Sequence, residues 1–332
     1  MTRLLLGSAA IFAFAPALSA TAQPTLPDDD KATWGLVVEN DLFGGSDRNY
    51  TNGLRLSYLS GAKESGGAEG WLANVMSGGA EDLQVRRGIA VGHSIYTPRD
   101  TGVATPLPDQ HPYAGFLYGE YTIVAQQPSR LDRLSITLGI VGPSALGEEV
   151  QNGFHDLIDD ESVQGWDNQI DDEAIINIGY DRRFKAIATG EFLGVGLDVT
   201  PNVGFNAGNF RTDANAGLTF RIGSNLYDYG PPRIRPSLAG AGYFVEEPGL
   251  NWYVFAGAEG RAVAHAIVLD GSFFRDDDPQ VPSNTFVGDL QAGFAIQLAK
   301  WQFTYTHVYR TEQFEGQDEP QMFGALSLAR KF

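Results

Sequence analysis

The chain has 332 residues, 40 glycines, 11% aromatic residues and no cysteine, and its formal net charge is −18. An acidic balance of this size argues against nucleic acid as a partner. Without cysteine there is no disulfide framework, so stability must come from burial, strand pairing or a membrane. The many glycines and aromatic residues favour short strands with tight turns over helices.

The N-terminus predicts a secretory signal peptide. Arg3 precedes an apolar run from Leu4 to Ala15, and Ala20-Thr21-Ala22 offers a small-residue cleavage site. The apolar run is too short to span a bilayer as a helix. We therefore expect residues 1–22 to be removed and residues 23–332 to form a single domain. The removed segment holds one base, Arg3, and no acid, which leaves 22 bases against 41 acids and a net charge of −19.

Apolar and polar residues alternate along most of the remaining chain. In RLSITLGI (133–140), every second residue is Leu or Ile, and the residues between them are polar or small. A lipid-facing outside and a wet interior select this pattern. There are twelve such segments, and a closed bacterial barrel requires an even number. They lie at 33–43, 50–60, 84–97, 113–127, 130–142, 173–187, 192–208, 214–224, 251–268, 284–298, 301–312 and 322–332.

The ends of these segments carry features of outer-membrane barrels. The last segment ends at Phe332, in phase with Leu326 and Leu328, although Arg330 falls on the same apolar phase. We predict an all-β fold, a transmembrane antiparallel β-barrel of about 12 strands. A soluble, secreted β-sandwich or barrel is the alternative, because its strands also alternate. Aromatic residues that could form girdles at the two membrane interfaces are Trp34, Tyr58, Tyr96, Tyr113, Trp252, Trp301 and Tyr309.

The connection 143–172 is the longest irregular one, and it contains its own helical pattern. A loop of this length is uncommon unless it has a function. Gln151 and His155 lie one helical turn apart on its polar face, and Glu161 follows. The apolar residues that predict a short amphipathic helix starting near Glu148, in an extracellular loop, are Val150, Phe154, Leu157 and Ile158.

Polar residues are also concentrated between the first two predicted strands, at 39–53. Turn chemistry alone accounts for many Asn, Asp and Gly residues there. However, the connections after strands one, three and five lie at the same end of an antiparallel barrel. The tip at 39–53 can therefore meet the loops 98–112 and 143–172.

Several of these stretches together resemble the outer-membrane lipid A 3′-O-deacylase (LpxR) family, over nearly the whole mature chain. They are END (39–41), DRNYTNG (47–53), HSIYTP (93–98), HPYAG (111–115) and GPSALGEEVQNGFH (142–155). The resemblance implies a Ca²⁺-dependent esterase in the bacterial outer membrane. Such an enzyme removes the acyl or acyloxyacyl chain linked through the 3′ oxygen of lipid A, the anchor of lipopolysaccharide. No protein partner is predicted.

The resemblance also implies a set of site residues, which are Asn40, Asp41, Thr51, Gln151, His155 and Glu161. Their chemistry suits ester hydrolysis. His155 can act as the general base that activates a water molecule, with its orientation set by Gln151 or Glu161. The three residues of the tip offer hard oxygen ligands for Ca²⁺, and the ion would polarise the ester carbonyl.

The phase of the first two strands raises a difficulty for this site. Strict alternation turns Asn40 outward but Asp41 inward, so both can serve one site only if a bulge or the strand end rotates the chain. Thr51 shares the inward phase of Arg55 and Ser57.

Two other functions stay open from the sequence. One is a barrel esterase that acts on phospholipid or another acylated envelope lipid. The other is a pore or structural barrel without catalysis, in which the residues of the tip only form a turn.

Overall fold

The computed structural model describes residues 26, 29–44, 49–62, 66–105, 107–158, 163–185, 188–192, 195–224, 226, 233–234 and 244–332. The predicted signal peptide, residues 1–22, lies outside the described residues. Glu161 and the segment 45–48 of the first predicted turn also lie outside them. No helix in the described part of the chain is long and apolar enough to cross a bilayer.

The strands of the described chain form one antiparallel sheet that closes into a barrel. β6 and β7 both pair with β8, along successive parts of its length. They share one position in the wall, so the barrel has twelve strands, as predicted. The strands are β1 Thr33–Asn40, β2 Asn49–Leu59, β3 Gln84–Thr97, β4 Ala114–Gln126, β5 Arg130–Val141, β6 Glu173–Phe184, β7 Ala188–Phe192, β8 Val195–Gly208, β9 Arg211–Gly223, β10 Leu250–Ala266, β11 Phe286–Leu298, β12 Trp301–Arg310 and β13 Gln321–Lys331.

Three helices accompany the barrel in the described residues. Helix α2, Gly147–Ile158, is the helix predicted in the long connection. Helix α1, Gly67–Ser77, was not predicted, and α3, Ile267–Asp270, is a single turn. β1 ends at Asn40 rather than at residue 43, because a 3₁₀ turn occupies Asp41–Gly44.

Side-chain exposure along each strand shows which face meets lipid. In β5, Ile136 and Leu138 are 45% and 56% exposed, whereas Ser135 and Thr137 are 1% and 0% exposed. Apolar side chains thus point out of the barrel and polar ones point into it. A soluble barrel has the opposite arrangement, since its apolar side chains fill the interior. The prediction of a transmembrane barrel is confirmed, and the soluble alternative is wrong.

The two ends of the barrel differ in their connections. At one end β3–β4, β5–β6 and β10–β11 are joined by long loops. At the other end β4–β5 and β11–β12 are joined by tight turns, whereas β2–β3 and β9–β10 have longer connections. In outer-membrane barrels the long loops are extracellular and the short turns periplasmic. The β1–β2 tip and α2 therefore lie at the extracellular end. Helix α1 lies at the periplasmic end.

Buried ion pairs fill the interior of the barrel. Asp289 accepts hydrogen bonds from Arg310 Nε at 2.9 Å and from Arg261 Nη1 at 3.1 Å. Arg233, from the periplasmic connection after β9, also reaches Asp289, at 3.2 Å. Its neighbour Ile234 donates its backbone N–H to Glu39 Oε1 at 2.7 Å. Arg233 and Ile234 therefore lie inside the lumen of the barrel.

The predicted aromatic girdles are confirmed in part. Trp34, Trp252, Trp301 and Tyr309 are exposed on the outer face, and the Trp34 ring packs edge-on against Tyr58 at 5.2 Å. The prediction was wrong for Tyr96 and Tyr113, which are buried. Tyr96 faces the interior and stacks on His111 at 5.4 Å, and Tyr113 packs against Trp166 at 5.0 Å.

Arg330 has a physical reason to lie on the outward apolar phase. Its guanidinium lies 5.0 Å from the centre of the Trp301 ring and 4.6 Å from that of Phe332. Aromatic faces attract such a cation. A long basic side chain can also extend from the strand end toward the headgroup region. The charge therefore fits the periplasmic end of the girdle.

The lumenal ion pairs predict a strong dependence of barrel stability on Asp289. Replacing it in Asp289→Ala leaves its arginine partners buried without their shared carboxylate, and such a loss costs about 3–5 kcal/mol. We expect a lower urea midpoint, measured by heat-modifiable migration on gels after refolding into lipid. Asp276→Ala, in an exposed loop, should leave the midpoint unchanged. Equal midpoints for the two variants would contradict a stabilising role for the network.

Candidate active site

Helix α2 is held against the outer face of the barrel wall. The segment that leads into it passes so close to β4 that a Cβ added to Gly115 would lie 3.0 Å from the backbone nitrogen of Gly147. On the neighbouring strand β3, His93 donates from Nε2 to the carbonyl oxygen of Ala145 at 2.8 Å. His93 shares the outward phase of the exposed Val91. The connection after β5 therefore folds over the outside of β3 and β4.

Trp166 fixes the orientation of α2. Its ring is buried against Ile95 and Tyr113, and its Nε1 donates to Gln151 Oε1 at 3.1 Å. A second hydrogen bond joins α2 to the segment after it, because Asn152 Oδ1 accepts from the backbone N–H of Val163 at 2.9 Å. Gln151 is thus buried, and its side-chain oxygen is hydrogen-bonded to Trp166. His155 lies one turn farther along the helix and is half-buried.

Trp166 is the functional residue that sequence reasoning missed. It lies in a polar stretch of the connection, where nothing in the local pattern connects it with Gln151. A lone large aromatic residue in a polar loop is the signal that could have drawn attention to it. Trp166 can pack there only because residue 147 is a glycine. A Cβ on Gly147 would lie 2.6 Å from the Trp166 ring.

The end of β1 separates Asn40 from Asp41. β1 stops at Asn40, opposite Asn52 on β2, and the 3₁₀ turn begins at Asp41. Asn40 is half-buried on the outward phase, and its Oδ1 accepts from the backbone N–H of Leu42 at 2.8 Å. Asp41 is fully buried. Strict alternation therefore ends between the two residues.

Thr51 lies in a β-bulge. The register between β2 and β3 shifts between Tyr50 and Asn52, so Thr51 is the extra residue. Its Oγ1 lies 2.7 Å from Thr97 Oγ1. Thr97 shares the outward phase of Ile95, which is covered by Trp166. The prediction that Thr51 follows the inward phase of Arg55 was wrong, because a bulge resets the alternation.

The predicted site residues fall into two groups at the extracellular end. Asn40, Asp41 and Thr51 lie together at the rim where β1 ends and β2 begins. Gln151 and His155 lie together on α2, which packs on β3 and β4. The hydrogen bond between Thr51 and Thr97 joins the rim to β3, the strand that α2 covers. Glu161 lies outside the described residues.

The donor types at the rim fit a hard cation. In the described part of the chain, no three His, Asp or Glu side chains group as metal ligands. The predicted calcium ligands depend instead on one carboxylate, one amide and one hydroxyl, from Asp41, Asn40 and Thr51. All three are oxygen donors of the kind that Ca²⁺ takes in proteins.

Another histidine of the extracellular loops has a structural role. His111 is buried, stacks on Tyr96 and donates from Nδ1 to the carbonyl oxygen of Pro112 at 2.7 Å. Burial lowers the pKa of His111 to about 4. Its imidazole is therefore neutral at neutral pH and serves to pack the loop against the barrel.

Comparison with known proteins agrees with this fold. The family model described as "Outer membrane protein LpxR" matches residues 4–332. LpxR from Salmonella typhimurium superposes with a TM-score of 0.75 and 21% identity, covering 90% of this chain and 100% of that one. The β domain of the Bordetella autotransporter BrkA covers 92% of this chain and 99% of that one at 10% identity, but with a TM-score of only 0.43. A search of curated proteins gives no significant sequence match.

The family model spans nearly the whole chain, and the structural match covers nine-tenths of it. The outward apolar wall and the twelve-strand closure agree with an outer-membrane protein. The chain belongs to the LpxR family of outer membrane proteins.

Proposed function

We propose that this protein is a Ca²⁺-dependent lipid A 3′-O-deacylase. The reaction hydrolyses the ester that links an acyl or acyloxyacyl chain to the 3′ oxygen of lipid A in the outer leaflet. His155 acts as the general base. The proposal rests on the family and on one feature of α2.

Helix α2 exposes an apolar edge to its surroundings. Val150 and Phe154 are 46% and 48% exposed, whereas the polar Gln151 is 5% exposed. The acidic residues Glu148, Glu149 and Asp156 are exposed on another side of the helix. Leu42 and Phe43, at the rim, are exposed as well. Acyl chains of the outer leaflet can therefore contact α2 directly, and a lipid substrate would approach from the membrane rather than through the lumen.

The residues divide the chemistry of ester hydrolysis between them. The His155 imidazole takes a proton from a water molecule, whose oxygen then forms a bond to the ester carbonyl carbon. The bond from that carbon to the 3′ oxygen breaks, the 3′ oxygen takes up a proton, and a free fatty acid results. Gln151 positions α2 through its bond to Trp166, and Glu161 is assigned to orient the imidazole. Calcium, held by Asn40, Asp41 and Thr51, would supply positive charge for the developing oxyanion.

Lipid A from cells that express this protein should lack one 3′-linked acyl unit. Mass spectrometry of extracted lipid A, beside cells that carry the His155→Ala variant, measures this directly. An unchanged lipid A profile together with new lysophospholipid would replace the proposal with a phospholipase. Unchanged lipid A and phospholipid would favour a barrel without catalysis.

The two groups of site residues should respond differently to calcium. His155→Ala removes general-base catalysis, a loss of about 10²–10⁴-fold, and added calcium should not restore it. Asp41→Asn removes one negative ligand, so activity should return in part as the calcium concentration rises. The measurement is the hydrolysis rate of purified lipid A across a calcium titration in detergent.

Exposed neighbours provide the controls for that titration. Asp156→Ala, next to His155 on α2, and Asp277→Ala, on a distant extracellular loop, should keep both the rate and the calcium dependence. Full activity of Asp41→Asn in the presence of a chelator would show that the β1–β2 rim is only a turn.

The packing of α2 predicts contrasting effects at two glycines. In Gly147→Ala the new Cβ would lie 2.6 Å from the Trp166 ring, so α2 must shift. A displacement of about 1 Å lowers the rate by about 10²-fold, while the barrel stays folded. In Gly153→Ala the Cβ meets nothing within 4 Å, and activity should be unchanged. Equal rates for the two variants would contradict the positioning role of this contact.

A further inference from the structure

Helix α1 lies outside the barrel wall at the periplasmic end. Ala73 is fully buried and packs in one cluster with Ile123 and Ala125 of β4. These two residues share the phase of Tyr121, which is exposed on the outer face. The hydroxyl of Tyr121 donates to Glu69 in the first turn of the helix. The helix therefore covers the outward face of β4.

Polar side chains fix both ends of α1 to the wall. At its start, Glu69 forms an ion pair with Arg87 of β3 at 2.5 Å. At its end, the carbonyl oxygen of Met76 accepts from Arg130 Nη2 at 3.1 Å and from Arg182 Nη2 at 3.0 Å. Carbonyl groups of a last helical turn have no partner within the helix, so these arginines satisfy them. The helix is held in one orientation.

The length of α1 places it along the lower part of the wall. Its 11 residues extend for roughly 16 Å at about 1.5 Å per residue. The segment of β4 from Tyr121 to its end at Gln126 has a similar length, since strands rise about 3.3 Å per residue. The helix thus runs from the level of Tyr121 down to the periplasmic turn after β4.

The face of α1 that points away from the wall carries no charge and is mostly apolar, with the exposed Asn74 at its edge. Trp71 and Val75 are 64% and 57% exposed and lie one turn apart, with Ala68 beside them. The one charged residue of the helix, Glu69, is turned to the wall. A helix that faces water usually carries charged residues on its outer side. Tryptophan is instead favoured at membrane interfaces, where its ring is partly in hydrocarbon.

We propose that α1 is an interfacial anchor that inserts Trp71 and Val75 among the phospholipids of the inner leaflet. The exposed face of the helix continues the apolar outer wall, which includes the exposed Ile89 of β3 and Ile136 of β5. Arg87, half-exposed beside the helix, lies where lipid phosphates would meet it. The surface is thus continuous with one that lipid already covers, and phospholipid is the partner whose chemistry fits it.

The absence of cysteine from the chain allows a clean test. Trp71→Cys carries a single thiol, which is labelled with an environment-sensitive fluorophore after refolding into phosphatidylethanolamine and phosphatidylglycerol vesicles. We expect blue-shifted emission that lipids with a spin label near the headgroup quench strongly, while iodide on both sides of the bilayer quenches it weakly. Val75→Cys should give the same result, and it serves if Trp71→Cys fails to fold.

Two positions calibrate the measurement. Ile136→Cys, on the exposed outer wall, reports lipid contact, and Ser129→Cys, in the exposed turn after β4, reports water. A label at position 71 that iodide quenches as strongly as at position 129 would overturn the proposal. Protection from both quenchers would also overturn it, since it would indicate that a second copy of the protein covers the helix.

Discussion

The structure depends on one constraint, which is that backbone polar groups in contact with lipid must find partners within the protein. A closed sheet satisfies this requirement, because each strand has a neighbour on both sides. Closure also divides the side chains, with apolar ones outside and polar ones inside. The interior then holds charges such as Asp289 and Arg261, which must pair with one another because they are removed from bulk water.

The same constraint shapes the helices that lie outside the wall. Helices α1 and α2 both pack on β4, at opposite ends of the barrel, and each turns a polar side chain toward the protein. In α2 this side chain is the buried Gln151, bound to Trp166, and in α1 it is the half-buried Glu69, paired with Arg87. Each helix therefore presents apolar side chains to the surrounding lipid. At the extracellular end this arrangement places His155 outside the wall of the barrel, on the helix that covers β3 and β4.

The site itself is assembled from short deviations in regular structure. The strand end at Asn40, the bulge at Thr51 and the close approach of Gly115 to Gly147 each break the geometry of an ideal barrel. The first two interrupt the alternation of side chains at the rim, and the third lets α2 pack tightly against β4. The proposed enzyme thus uses a rigid wall for support, with its chemistry confined to the few places where the wall is irregular.

The sequence by itself determined the twelve strands, their outward apolar faces and the helix in the long connection. These features follow from local periodicity, since each strand or helix carries its own pattern. The tertiary structure alone decided the outward direction of Thr51, the burial of Tyr96 and Tyr113, the bond of Trp166 to Gln151 and the position of α1. Each of these depends on register or packing between segments far apart in the chain. Alternation within one strand carries no information about a bulge, which exists only relative to its partner strand.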